Sequence, residues 1–377
     1  MLRDRLANVF RLGVKELRSL AADKVLLVLI VWAFSGGIYE AATGVSMELR
    51  NAPVAVVDED CSPLSLRLID ALRPPYFKPP DYVTLPEIDP LMDAGRYSFA
   101  IVIPANFQRD VLAGRQPEVQ LNIDATIVSQ SFIGSSYIQT IAAGEINAFL
   151  TGTRATAEPP IRLATRVRFN PNLTGKWFGG VMEVISNVTM LTIILVGAAL
   201  IREREHGTVE HLLVMPLRPA EIMLAKIWAN GLAVLLGATF ALTVIVQGVL
   251  RVPIAGSVPL FLGAAALYLF SAASIGIFLG TLARSMPQLG LLIILTIIPL
   301  QLLSGGVTPR ESMPQLVQDF MLLAPTTYFV RLAQAILYRG AGIAVVWRDL
   351  LAMFGVGSLF FILALLRFRR SVTQTQV

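Results

Sequence analysis

The stretch IREREHGTVEHLLVM, residues 201–215, decides how the rest of the chain is read. It is short and heavily charged, and it lies between two long apolar runs. Residues 177–201 before it carry a single charge, Glu183, and residues 227–250 after it carry none. Each run is long enough to cross the hydrocarbon core of a bilayer, which takes about 20 apolar residues as helix. The charged passage, 202–218, is therefore expected to be a membrane-proximal elbow. Its punctuation implies order. Gly207 suits a helix C′ position and Thr208 the cap of a new helix. Val209, Leu212 and Leu213 then share a face at i, i+3 and i+4. Pro216 stops that short helix, and Pro219 suits the first turn of the next. A structured elbow of mixed charge between two spanning helices is shaped for contact with a partner.

Composition points the same way. The 377 residues are 55% hydrophobic and only 15% charged, against about 25% charged in soluble domains. That places the chain among membrane proteins and leaves room for one separate water-soluble domain. The net charge of +5 comes from Arg and Lys beside the apolar runs, so the expected surroundings are a lipid bilayer and not nucleic acid. A single cysteine, Cys61, excludes an intramolecular disulfide framework and a cysteine metal cluster. The histidines, His206 and His211, stand at i, i+5, a poor spacing for sharing a metal on one helix face.

Outward from the elbow, residues 1–24 read as an interfacial amphipathic helix. Leu6, Val9, Phe10, Leu17 and Leu20 form its apolar face, and Arg3, Arg5, Arg11, Lys15 and Arg18 its polar one. Residues 25–45 are the first span, a retained signal anchor because no small-residue cleavage site follows. Residues 46–176 change character. Strand-like segments at 53–60, 97–104, 119–126 and 161–169, with a weaker one within 76–83, alternate with helix-like segments at 62–73, 86–96, 105–114 and 127–152. That alternation predicts an α/β domain with a mixed sheet. Asp58, Glu59 and Asp60 read as a solvated turn, with a cation site as the alternative.

The second span is 177–201. Four more are expected at 219–250, 252–283, 285–309 and 350–366, with 310–349 as short interfacial or re-entrant helices and 367–377 as a tail. Six alternating spans put the N-terminal helix, Arg202, Arg204, Arg218, Lys226, Arg284 and the 367–370 arginines on one side. The excess of positive charge makes that side the cytoplasm. The expected fold is an α-helical polytopic membrane protein of six spans, both termini cytoplasmic, with an inserted α/β extracytoplasmic domain.

No phosphate-binding loop occurs. Gly175-Lys176 has Asn170 where the first glycine belongs and Trp177 where Ser or Thr belongs. Residues 303–306, LSGG, imitate an ATPase signature at the end of a span. The chain is therefore not expected to be an enzyme or to hold a cofactor or metal.

Residues 202–230, REREHGTVEHLLVMPLRPAEIMLAKIWAN, resemble the first cytoplasmic loop of ABC-2 type exporter permeases. LLSGGVTPRESMP (302–314) and LAPTTYFVRLAQAILYRG (323–340) resemble that family's outer re-entrant region. The outer domain ending in RFNPN (168–172) is similar to the drug-efflux branch. The resemblance implies a bacterial inner-membrane subunit that pairs with a second permease copy or paralogue. It implies separate cytosolic ATPase subunits that bind ATP and Mg. In some members a periplasmic adaptor and an outer-membrane channel take part. Carried over position by position, the coupling role falls on Glu203, Arg204, Glu205, Gly207, Thr208 and Glu210.

Within the spans, Glu183 is the residue to weigh, since intramembrane carboxylates are costly and often line a path. It lies about 9 Å deeper than Trp177 at 1.5 Å per residue, and Asn187 continues its face. Thr239, Thr243 and Gln247 form a second polar strip at i, i+4, i+8. Both strips are candidates for the transport path, with helix–helix hydrogen bonding as the plainer reading. Gly276 and Gly280 form a small-xxx-small pattern that predicts close helix packing. A secondary transporter, the alternative from another class, would show internal repeats and more mid-membrane ionisable groups. A membrane-anchored receptor would account for the outer domain but not for five further spans.

Overall fold

The computed structural model describes residues 2–44, 49–124, 128–152, 175–205 and 217–374. The chain divides into a helical unit, residues 1–45 with 167–377, and an inserted unit, residues 46–166. Among the described residues six helices are long and apolar enough to cross a membrane. The short capped helix expected at 208–215 and the strand expected at 161–169 lie outside the described residues.

Helix α1, Leu2–Ala22, follows the amphipathic pattern. Asp23 ends it and starts the next, its carboxylate accepting from the Leu26 amide at 3.1 Å. The first span is not one helix, as expected, but two: α2, Lys24–Ala33, and α3, Gly36–Gly44. The break falls before a glycine pair, a common site for a kink. Phe34 fills the bend, fully buried, and the Ser35 hydroxyl turns back onto the Val31 carbonyl.

In the inserted unit the alternation predicts the elements well. Strand β1 is Val54–Asp58, helix α4 Pro63–Asp70 and strand β2 Asp81–Tyr82. Helix α5 (Ile88–Asp93), strand β3 (Phe99–Ile103), helix α6 (Phe107–Leu112), strand β4 (Gln120–Ile123) and helix α7 (Val128–Thr151) follow. The sheet order is β2-β1-β3-β4. β1 runs parallel to β2 and β3, and β4 is antiparallel to β3. Period-two side-chain alternation sends Val54, Val56, Phe99, Ile101 and Ile103 to one face with Leu64, Leu68 and Ile138. Ala55, Val57 and Ala100 go to the other with Ile88. The acidic turn after β1 leaves Glu59 exposed, as expected of a solvated turn, but Asp58 and Asp60 also order it. Asp58 accepts from the Asp60 and Cys61 amides and from Ser65 Oγ at 2.7 Å, and Asp60 accepts from the Gln108 amide at 3.0 Å.

Helix α8, Gly175–Glu205, runs beyond the expected end at Ile201. After the elbow, α9 (Pro219–Phe240) passes into a π-helical run at Ala241–Val249. The fourth span is shorter than expected. Residues 251–257 are irregular, and α10 (Val258–Leu282) starts where Ser257 accepts from the Leu260 amide. Helix α11, Met286–Leu303, stops well before Pro309 because Gly305 takes φ +94° and turns the chain. Short helices α12 (Gln315–Phe320) and α13 (Pro325–Ala333), with a π turn at Gln334–Tyr338, form a bent pair at 94°. The last helix, α14, is Ile343–Gln374. It begins ahead of the expected Leu350 and takes in Asp349, which is paired with Arg331 through two hydrogen bonds.

Helices α8 and α10 form the buried centre, and most of the faces of α11 and α14 are open. The glycine pattern explains how the central pair meets. A Cβ on Gly276 would lie 2.8 Å from the Ile193 carbonyl oxygen, and one on Gly197 3.2 Å from the Gly276 oxygen. Tyr268 ties the centre to α13, stacking on Phe329 at 4.0 Å and donating to Thr189 Oγ1 at 2.9 Å.

Candidate functional site

The end of α8 and the start of α9 are held by a charge cluster, of which the sequence reading took Arg202 and Lys226 as topology markers and Glu203 as a coupling residue. Lys226 stands two turns into α9, its one charge beyond Glu221 in the first turn, and its side chain is 2% exposed. A lone ammonium there would be untenable. Its Nζ donates to Glu16 Oε1 at 3.0 Å, pairs with Glu203 Oε2 at 2.9 Å and donates to the Ala199 carbonyl at 3.3 Å. One lysine thereby fastens α1, α8 and α9 together. Beside it, Arg202 Nη1 meets Asp23 Oδ2 at 2.9 Å, so the residue that caps the first span also holds the end of the second. Lys15, Glu16, Ser19, Arg202, Glu203 and Asn230 line a cavity of about 340 Å³ around this cluster. Lys15, Arg202 and Lys226 balance Glu16, Asp23 and Glu203, three charges against three.

An aromatic clamp reinforces the same junction. Trp228 Nε1 donates to the Val9 carbonyl at 3.1 Å, and its ring stacks on Phe10 at 5.7 Å. Gly13 makes the approach possible, since a Cβ there would lie 2.1 Å from the indole.

The residues expected to couple to an ATPase divide into two groups. Glu203 and Glu205 are at the end of α8, not in a separate loop, and both carboxylates have partners inside the chain. Glu203 holds Lys226. Glu205 Oε1 accepts from the Met286 amide at 3.0 Å, a carboxylate at the N-terminus of α11 where the helix dipole favours it. Arg204 shares that last turn. Gly207, Thr208 and Glu210 lie outside the described residues. Glu221 secures the return, its carboxylate accepting from the Arg218 amide at 3.2 Å at the start of α9.

The two strips proposed for a transport path have different surroundings. Asn187 is buried and donates through Nδ2 to the Ala33 carbonyl at 2.7 Å. That carbonyl ends α2 at the break of the first span, so the asparagine satisfies a backbone group the break leaves over. Glu183 is half-buried one turn earlier on α8. Thr239 and Thr243 return their hydroxyls to the carbonyls four residues back, at 2.7 and 2.8 Å. Thr243 and Gln247 are exposed, on the π-helical run. Sequence reasoning missed that run, although Gly237 stands four residues ahead of it and Gly248 within it, and π-helical turns are frequent at functional sites.

Against known proteins, the family model described as ABC-2 family transporter protein matches residues 25–366. The chain is 59% identical over 367 residues to the inner membrane transport permease YhhJ of Escherichia coli (strain K12), covering 97% of this chain and 98% of that protein. It is 28% identical over 364 residues to the probable multidrug ABC transporter permease YbhR of the same organism, covering 95% and 97%. With the probable multidrug ABC transporter permease YbhS it shares 24% over 345 residues, covering 88% and 89%.

Proposed function

The chain belongs to the ABC-2 transporter family, and on that premise we propose that it is the permease subunit of an ATP-driven exporter. Two permease chains form the path, and separate cytosolic ATPase subunits bind ATP and Mg and drive it. The relatives named as inner membrane permeases place it in the bacterial inner membrane as a multi-pass transport protein. The multidrug names of the more distant relatives support drugs or other amphiphilic molecules as cargo. This chain supplies no catalytic residue.

The observation that carries the coupling half of this reading is the buried Glu16–Lys226–Glu203 cluster. It braces the end of α8 and the start of α9, the two helices that flank residues 206–216. An ATPase pressing on a loop moves spanning helices only if the base of the loop is stiff. Ionic contacts among three helices, capped by Glu205 on α11, supply that stiffness. The balance of basic flanks supports cytoplasmic termini and elbow, and an extracytoplasmic inserted unit. Some members of the family also work with a periplasmic adaptor and an outer-membrane channel, which the inserted unit is positioned in the sequence to meet.

The test is reconstitution. The tagged permease should bring down an ATPase subunit stoichiometrically, and the complex in inverted vesicles should take up a fluorescent amphiphile on addition of ATP. Uptake that ignores ATP and follows a proton gradient would replace this reading with secondary transport.

A further inference from the structure

The SGGVTPR loop, residues 304–310, builds a recess at the end of the bundle opposite the Lys226 cluster. Gly305 takes a left-handed φ of +94° and Gly306 leaves no side chain, since a Cβ there would lie 2.4 Å from Met182 Cε. The loop is thus pulled against α8, and a cavity of about 400 Å³ opens between it, the start of α8 and the Gln334–Tyr338 turn. One wall is apolar, made by Phe178, Val307 and Val330. It is also fixed. Phe178 stacks on Tyr338 at 5.9 Å, and the tyrosine hydroxyl donates to the Phe178 carbonyl at 3.0 Å.

The other wall is cationic. Arg310, Arg331 and Arg339 line it against a single lining carboxylate, Glu311. Asp349 neutralises Arg331 through two hydrogen bonds, and Arg310 Nη2 donates to the Gln318 carbonyl at 3.2 Å. Arg339 is exposed, and its guanidinium has no hydrogen-bond or ion-pair partner among the described residues. Three arginines against Glu311 and Asp349 leave the recess with a positive excess. Guanidinium groups bind carboxylate, phosphate and sulfonate oxygens in pairs.

We propose that this recess is a binding site for an anionic amphiphile, its acidic head on Arg339 and Arg310 and its apolar body along Phe178, Val307 and Val330. The site is separate from the elbow and does not depend on ATP coupling, so the permease alone tests it. The chemistry fits two sources, a diffusible organic anion and the headgroup of an anionic lipid.

Purified permease in phosphatidylcholine nanodiscs is titrated with radiolabelled taurocholate, with cholamide as the uncharged counterpart and empty discs subtracted. Saturable taurocholate binding is expected, without saturable cholamide binding. Arg339→Ala should weaken it roughly tenfold, the loss of one charge-assisted contact. Glu311→Gln should strengthen it, and Val307→Trp should block it by filling the apolar half. Arg339 and Val307 are exposed, and a thermal melt confirms that each variant is folded. Equal affinity in the parent and Arg339→Ala, or no saturable binding above empty discs, would overturn the assignment. A second series adds phosphatidylglycerol to the discs. Taurocholate displaced by the lipid in the parent identifies the resident anion as a headgroup, and undiminished binding identifies a diffusible anion.

Discussion

Replacing Lys226 by methionine keeps an unbranched stem of similar length and removes the ammonium. In the parent, Nζ has Glu16 at 3.0 Å, Glu203 at 2.9 Å and the Ala199 carbonyl at 3.3 Å, with the two glutamates only 15% and 14% exposed. The variant leaves both carboxylates turned toward the same site with no cation between them. Removing one partner of a buried ionic cluster costs about 3–5 kcal/mol. At about 2–4 °C per kcal/mol for a folded unit of a few hundred residues, the melting midpoint falls by on the order of 10 °C. Replacing the whole cluster, with Glu16→Leu and Glu203→Met added to Lys226→Met, should restore most of the loss, because apolar substitutes avoid the desolvation penalty. The assay is thermal unfolding in nanodiscs followed by tryptophan fluorescence. Trp228, clamped on Phe10 two residues from Lys226, is a local reporter. A single variant that melts with the parent, or a triple variant that falls as far as the single, would refute the reasoning. If the elbow reading is right, the stable triple variant should still hydrolyse ATP with its partner while exporting less per ATP.

Gly276→Val should reduce the membrane abundance of the protein several-fold, since its branched side chain starts 2.8 Å from the Ile193 oxygen. Gly263→Val on the same helix meets nothing within 4 Å and should be neutral. Asn187→Leu leaves the Ala33 carbonyl without its donor and should cost about 1–3 kcal/mol, read as a lower melting midpoint and faster amide exchange around residues 34–37. In a Cys61→Ser background, a cysteine at Ser312 should react with an impermeant maleimide in intact cells and one at Arg3 should not. The opposite labelling pattern would invert the proposed orientation.

The inserted unit and the positions of the apolar helices were legible because each rests on a one-dimensional period or run. Val54–Asp58 and Phe99–Ile103 are short apolar runs bounded by polar turns, and the structure pairs them in register. What the sequence concealed depends on partners distant along the chain. Lys226 reads as a basic flank until Glu16 and Glu203 close around it, 210 positions away in the case of Glu16. Glu203 and Glu205 read as free acids for a partner protein because neither the Lys226 ammonium nor the Met286 amide is near them in sequence. Asp349 reads as the end of a polar region until Arg331 neutralises it. The one informative signal was an ammonium inside an apolar helix, which the physics of burial requires to be paired. The break in the first span was not read from Gly36-Gly37, which lie inside the uncharged run at 25–39, and the buried asparagine that stabilises it could be read equally as a pore residue.

The glycine contact between α8 and α10 also limits how this bundle can change shape. Where backbone rests on backbone, there is no layer of flexible side chains to absorb displacement. Sliding either helix by one residue would drive a Cα or a side chain into a carbonyl oxygen at Ile193 or Gly276. The pair therefore behaves as a fixed axle. Irregularities that permit bending lie in the helices around it: the gap between α2 and α3, the π-helical run that ends α9, and Pro299 within α11. Flexing in such a body falls to its periphery, each outer helix bending at its own irregularity around a centre that keeps its shape.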